Sequence, residues 1–105
     1  MKYMLSWYER PQGSAAEYEN AQKRILAVFE KWSFPESLTV HQFLVRLGEW
    51  GGYMLVETDD PLAIHKITTT FAAFEWRVVT VLGVPEAVGA ELEAISWRES
   101  LAASG

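Results

Sequence analysis

The chain has 105 residues, half of them hydrophobic and 13% Phe, Trp or Tyr, with a formal charge of −5 and no cysteine. That length supports one domain with one core and not two, so residues 1–105 are read as a single domain. The negative balance repels phosphate backbones and argues against nucleic acid as a partner, while the missing thiols exclude a disulfide framework, a thiolate nucleophile and cysteine-based zinc sites.

Lys2 to Tyr8 is a short, bulky run bounded by the polar stretch Glu9 to Gly13, and its Tyr, Leu and Trp content suits a first strand. The apolar part meets Glu9, Arg10 and Pro11 too soon for a signal peptide, and no stretch approaches the roughly 18 apolar residues of a membrane span, so a cytoplasmic protein without membrane contact is expected.

Ser14 followed by Glu17 matches a capping box. Tyr18, Ala21, Ile25, Phe29 and Trp32 then recur at three- and four-residue intervals, predicting a first helix that Pro35 closes. Leu38 to Leu47 and Gly52 to Thr58 read as strands two and three, joined by the hairpin loop Gly48-Glu49-Trp50-Gly51. Asp59-Asp60-Pro61 opens a second helix, an acidic cap followed by proline, with Ile64, Ile67, Phe71 and Phe74 as its apolar stripe. Thr68, Thr69 and Thr70 oppose that helix intrinsically, so tertiary packing has to hold it. Glu75 to Leu82 returns to strand character. Pro85 and Glu86 open a last helix with Val88, Leu92 and Ile95 on one side and Trp97 and Leu101 shifted around it.

This order predicts an α+β, ferredoxin-like βαββαβ subunit with an added C-terminal helix, both crossover helices lying on one face of an antiparallel sheet. The strands look apolar on both faces, so the second face needs a cover. Four strands about 4.8 Å apart, seven residues long at about 3.3 Å each, project roughly 440 Å². At about 25 cal/mol per Å², burying such a face favours association by roughly 10 kcal/mol per subunit before entropic costs. A homodimer through the sheet face is therefore expected.

The run His41-Gln42-Phe43, Arg46, Gly48-Glu49, Gly51-Gly52-Tyr53-Met54, Val56-Glu57-Thr58-Asp59-Asp60 and His65-Lys66, with Met1-Lys2-Tyr3-Met4 and Arg10-Pro11-Gln12-Gly13-Ser14, resembles the small bacterial proteins catalogued as domain of unknown function 3303. The resemblance covers nearly the whole chain. It implies a dimeric α/β barrel, a superfamily that includes cofactor-free monooxygenases, muconolactone isomerase-like enzymes and stress-response proteins. No catalytic motif of those enzymes matches this chain residue by residue.

Chemistry is sought in few residues. His41 in strand two is placed on the side of Thr39, Phe43 and Val45, where it could serve as base or anchor, or be a structural histidine satisfied by a neighbour. Glu57, near the end of strand three, would need a partner such as Arg46, Arg77 or His41 if buried, and paired with the histidine it could orient that ring; the competing readings are a structural ion pair and a solvated acid at the strand end. These two are the catalytic candidates. Tyr3, Trp7, His41, His65 and Trp76 are the ligand-binding candidates, weighed against core filling for the aromatics and solvation for His65 beside Lys66. Trp50, between glycines in the hairpin, is expected to pack on the partner or rim the cavity. No metal-ligand spacing exists, and neither a phosphate loop nor a nucleophile elbow is present. The expected protein is a homodimer with an apolar pocket for a small hydrophobic or aromatic molecule, needing no cofactor. Either it is an enzyme of the monooxygenase or isomerase type, or it is a noncatalytic ligand-binding or stress-associated dimer.

Overall fold

The computed structural model describes residues 1–104. Its elements are β1 (Lys2–Glu9), α1 (Ala15–Lys31), β2 (Thr39–Val45), β3 (Gly51–Glu57), α2 (Pro61–Thr70), β4 (Phe74–Val81) and α3 (Val84–Ser104). The four strands form one sheet in the order β2-β3-β1-β4 with every neighbouring pair antiparallel. This is the ferredoxin-like arrangement with an added C-terminal helix.

The helix starts form as their sequences predict. Ser14 Oγ accepts the Glu17 N–H at 3.2 Å, while the Glu17 carboxylate reaches back to the Gly13 N–H at 2.9 Å, one residue beyond the usual box. Asp60 caps α2 by accepting the Leu62 N–H at 3.1 Å, with Pro61 in the first turn. The threonines close α2 rather than continue it, since the helix stops at Thr70. Phe74 belongs to β4 and not to the α2 stripe, because the chain has already turned through Phe71.

Alternation along the strands sends Leu5 and Trp7 of β1, Met54 and Val56 of β3 and Phe74 of β4 to the side of the helices, where they form the core with Leu38, Ala63, Ile64, Ile67 and Phe71. The other face is apolar in the middle, where Leu55, Met4 and Val79 share a row, and carries Lys2, Glu57, Glu75 and Arg77 around it. β2 is bulged between Val40 and Gln42. The extra residue changes the parity of the strand, so the sequence-based face assignment is corrected: His41 lies on the outer face with Thr39 and Gln42, while Phe43 and Val45 point toward the helices.

Two regions are loosely covered. α1 has an amphipathic pattern yet buries none of its residues, and beneath it the inward-pointing Phe43 and Val45 of β2 remain exposed. α3 leaves the edge strand β4 and stands away from the body, with residues 88–103 exposed throughout and a longest molecular dimension of 69 Å. No helix among the described residues is long and apolar enough to cross a membrane.

Candidate functional site

Because α1 stands off the sheet, a cavity of about 270 Å³ opens between them. α1 contributes Ile25, Leu26 and Phe29, and its C-cap Trp32 and the following loop residue Phe34 continue the wall. The sheet floor carries Trp7, Met54, Phe74 and Trp76, while Ile67 and Phe71 come from the end of α2. Every lining residue is apolar or aromatic, and none is titratable.

The rings pack edge to face and tilted, as their quadrupoles favour. Trp7 meets Phe43 at 5.3 Å and Trp76 at 5.6 Å between centroids, and Trp32 meets Phe71 at 5.2 Å. The Trp76 indole donates to the Phe71 carbonyl at 2.9 Å, which fixes the β4 wall to the end of α2. Trp50 lies at the hairpin end of the cavity, 6.3 Å from Phe74; among the described residues its Nε1 is the buried side-chain polar atom without a hydrogen-bond partner.

The hairpin that delivers Trp50 is held by Arg46. Its guanidinium donates to Glu49 at 2.6 Å, to the Gly52 carbonyl at 3.3 Å and to the Trp7 carbonyl at 2.7 Å. The hydrogen bond to Glu49 raises the Arg46 pKa above its ordinary value, outweighing the opposing effect of burial. Gly48 takes a φ of 78° in the turn. Gly51 and Gly52 are required for a different reason: a Cβ on Gly51 would collide with Arg46 and the Trp7 carbonyl, and one on Gly52 with the Leu44 carbonyl.

On the opposite face of the sheet, His41 Nε2 and Glu57 Oε1 are 2.8 Å apart. This hydrogen bond holds the Glu57 carboxyl below the ordinary carboxylate range, against a smaller effect of desolvation. Both side chains are well exposed, so the pair is screened by solvent. On the same face Tyr8 lies beneath two guanidiniums, Arg46 at 4.2 Å and Arg77 at 4.7 Å from the ring centroid.

The candidates from the sequence are thus divided between two places. Trp7 and Trp76 line the cavity; His41 and Glu57 meet each other on the far side of the sheet. Tyr3 packs against the core outside the cavity lining, and His65 is exposed on α2. Phe34, Phe43, Phe71 and Phe74 also form walls that were not singled out as site residues. Their signal was present in the aromatic loading, but the folding of the loop at Phe34 under α1 and the parity of β2 are invisible to periodicity. Among the described residues no group of three or more His, Asp or Glu side chains is placed to hold a metal ion.

The chain belongs to the family described as Domain of unknown function (DUF3303), whose model matches residues 1–95. No curated protein matches the chain.

Proposed function

We propose that this protein binds a small, flat, uncharged apolar molecule in the cavity beneath α1, as a homodimer of the dimeric α/β-barrel type and without catalysing a reaction on it. The observation that carries this reading is the lining: about 270 Å³ of space walled by aromatic and aliphatic side chains, with no acid, base or nucleophile facing it. An apolar cavity of about 150 Å³ already accommodates benzene and stays dry. The larger volume suits a fused or substituted ring system, and such a ligand gains its affinity from area and ring stacking rather than from charge. The homodimer is supported by the apolar middle of the outer sheet face, where Val79 is 58% exposed in the single chain. The reading treats residues 1–105 as one cytoplasmic domain with no nucleic-acid or membrane partner and no cofactor.

The test is titration with N-phenyl-1-naphthylamine, an uncharged aromatic fluorophore. The expected result is saturable binding with fluorescence enhancement, and its loss in Leu26→Trp, where a larger ring at the exposed mouth occupies the space while far-UV and near-UV spectra stay native. Absence of saturable binding to the wild-type protein overturns the reading.

The catalytic alternative rests on a separate observation, the His41 to Glu57 hydrogen bond, which has the geometry of a base oriented by an acid. It would place chemistry between two stacked sheets rather than in the cavity. His41→Gln would then abolish turnover of an added aromatic substrate and leave fluorophore binding unchanged.

A further inference from the structure

The cavity lacks a wall. Its mouth lies where α1 and β2 diverge, and there Leu26, Phe29, Phe43 and Val45 are exposed, Val45 by 65%. An amphipathic helix that buries none of its residues is an incomplete layer, because helices gain most of their stability from the face they pack. A second apolar element is exposed on the same molecule. Val88, Leu92 and Ile95 of α3 fall within one side of the helix and are all exposed, with Trp97 exposed further round.

The amount of surface matches a missing subunit. A compact monomer of 11.9 kDa should expose roughly 5,900 Å². This chain exposes 7654 Å², an excess of about 1,700 Å². The radius of gyration is 19.6 Å, against about 13 Å for a compact chain of this length. A standard association surface is about 800 Å² per partner, so the excess is what one subunit contributes to a large, permanent interface.

We infer that α3 of one copy lies over the mouth of the cavity in a second copy, so that each binding site is closed by its partner. This rests on the cavity being the ligand site. Length agrees with the placement: 21 residues at about 1.5 Å reach roughly 31 Å, enough to run the whole of the 17-residue α1. The arrangement is reciprocal, as a two-fold dimer requires.

The chain contains no cysteine, so introduced thiols report without background. Leu26→Cys on a tagged copy is mixed with untagged Val88→Cys, Leu92→Cys or Ile95→Cys, exchanged and oxidised. Ala90→Cys, on the other side of α3, serves as the control. The expected result is a disulfide-linked tagged–untagged dimer with at least one of the three apolar positions and none with Ala90→Cys. Linkage at none of the three, or only an intrachain disulfide in the Leu26→Cys/Leu92→Cys double variant, overturns the inference. In parallel, Leu92→Glu is expected to weaken N-phenyl-1-naphthylamine binding at least tenfold, and unchanged affinity overturns the closure of the site. Linkage without any fluorophore binding to the wild type leaves the exchanged helix standing and removes the binding reading alone. Binding without linkage does the reverse.

Discussion

His41 Nε2 sits 2.8 Å from Glu57 Oε1 on the sheet face that turns away from α1 and α2. The bulge in β2 lets His41 share the outer face with Thr39 while Phe43 and Val45, which plain alternation would place on the same side, point toward the helices. The pair is therefore separate from the apolar cavity.

Glu57 has a folded-state pKa lowered chiefly by its hydrogen bond to His41. A carboxyl lowered on folding contributes stability that is present above its unfolded value, about 4.3, and is lost as pH falls through the folded value. Glu57→Gln is therefore expected to lower the urea midpoint at pH 6, the difference from the wild type shrinking as pH falls through the lowered folded-state value of the carboxyl. A wild-type to variant difference that is the same at pH 6 and pH 3 would show that the carboxylate contributes nothing through its ionisation.

Three glycines separate steric from conformational need. Gly52→Ala places a methyl group against the Leu44 carbonyl and within 2.9 Å of the Trp7 ring, and should cost about 2–3 kcal/mol by overpacking. Gly48→Ala meets nothing within 4 Å but keeps a φ of 78°, so about 1 kcal/mol is expected. Gly89→Ala, in the exposed part of α3 with open space around it, should stabilise the helix by up to about 1 kcal/mol. Chemical denaturation of the three variants checks the order, and equal losses at Gly52 and Gly48 would contradict the close-packing argument.

Element order and most boundaries were legible in the sequence because they rest on local signals: the Ser14 box, the Asp60-Pro61 start and the glycines of the hairpin. The faces were less legible. A single bulged residue in β2 moves His41 across the sheet from Phe43, and nothing in a period-2 pattern announces it. Trp7 and Trp76 stood out as strand aromatics, to be read as pocket lining or as core, and their pairing as Cα partners across β1 and β4 is supplied by the sheet register. The walls from Phe34 and Phe71 depend on how a loop and a helix end close over the sheet, which is tertiary information.

Arg46 should be irreplaceable by lysine. Its fork joins three groups on three segments: the Glu49 carboxylate and the Gly52 and Trp7 carbonyls. An ammonium keeps the charge but cannot hold all three in one plane, so Arg46→Lys should cost about 1–2 kcal/mol. Because the hairpin carries Trp50 into the cavity wall, the same variant should also broaden the Trp50 indole resonance in NMR spectra. A lysine variant with wild-type stability and an unchanged indole signal would show that the clamp is dispensable.

Val79 gives the clearest test of what covers the outer face. It shares a row with Met4 and Leu55, and as a single chain it is 58% exposed. A lysine there is tolerated by the lone subunit, since its ammonium reaches water and no core contact is lost. Stacking two such faces would bring the charge and its symmetry mate into an apolar interface, where an unpaired ion is strongly disfavoured. Val79→Lys is thus expected to leave the circular dichroism spectrum native and to convert a dimer into a monomer at micromolar concentration in sedimentation velocity. A lysine at Arg77, already charged and on the same face, should not do so. Retention of the dimer by Val79→Lys would mean that the subunits associate through another surface, and the α3 exchange would then have to hold them together alone.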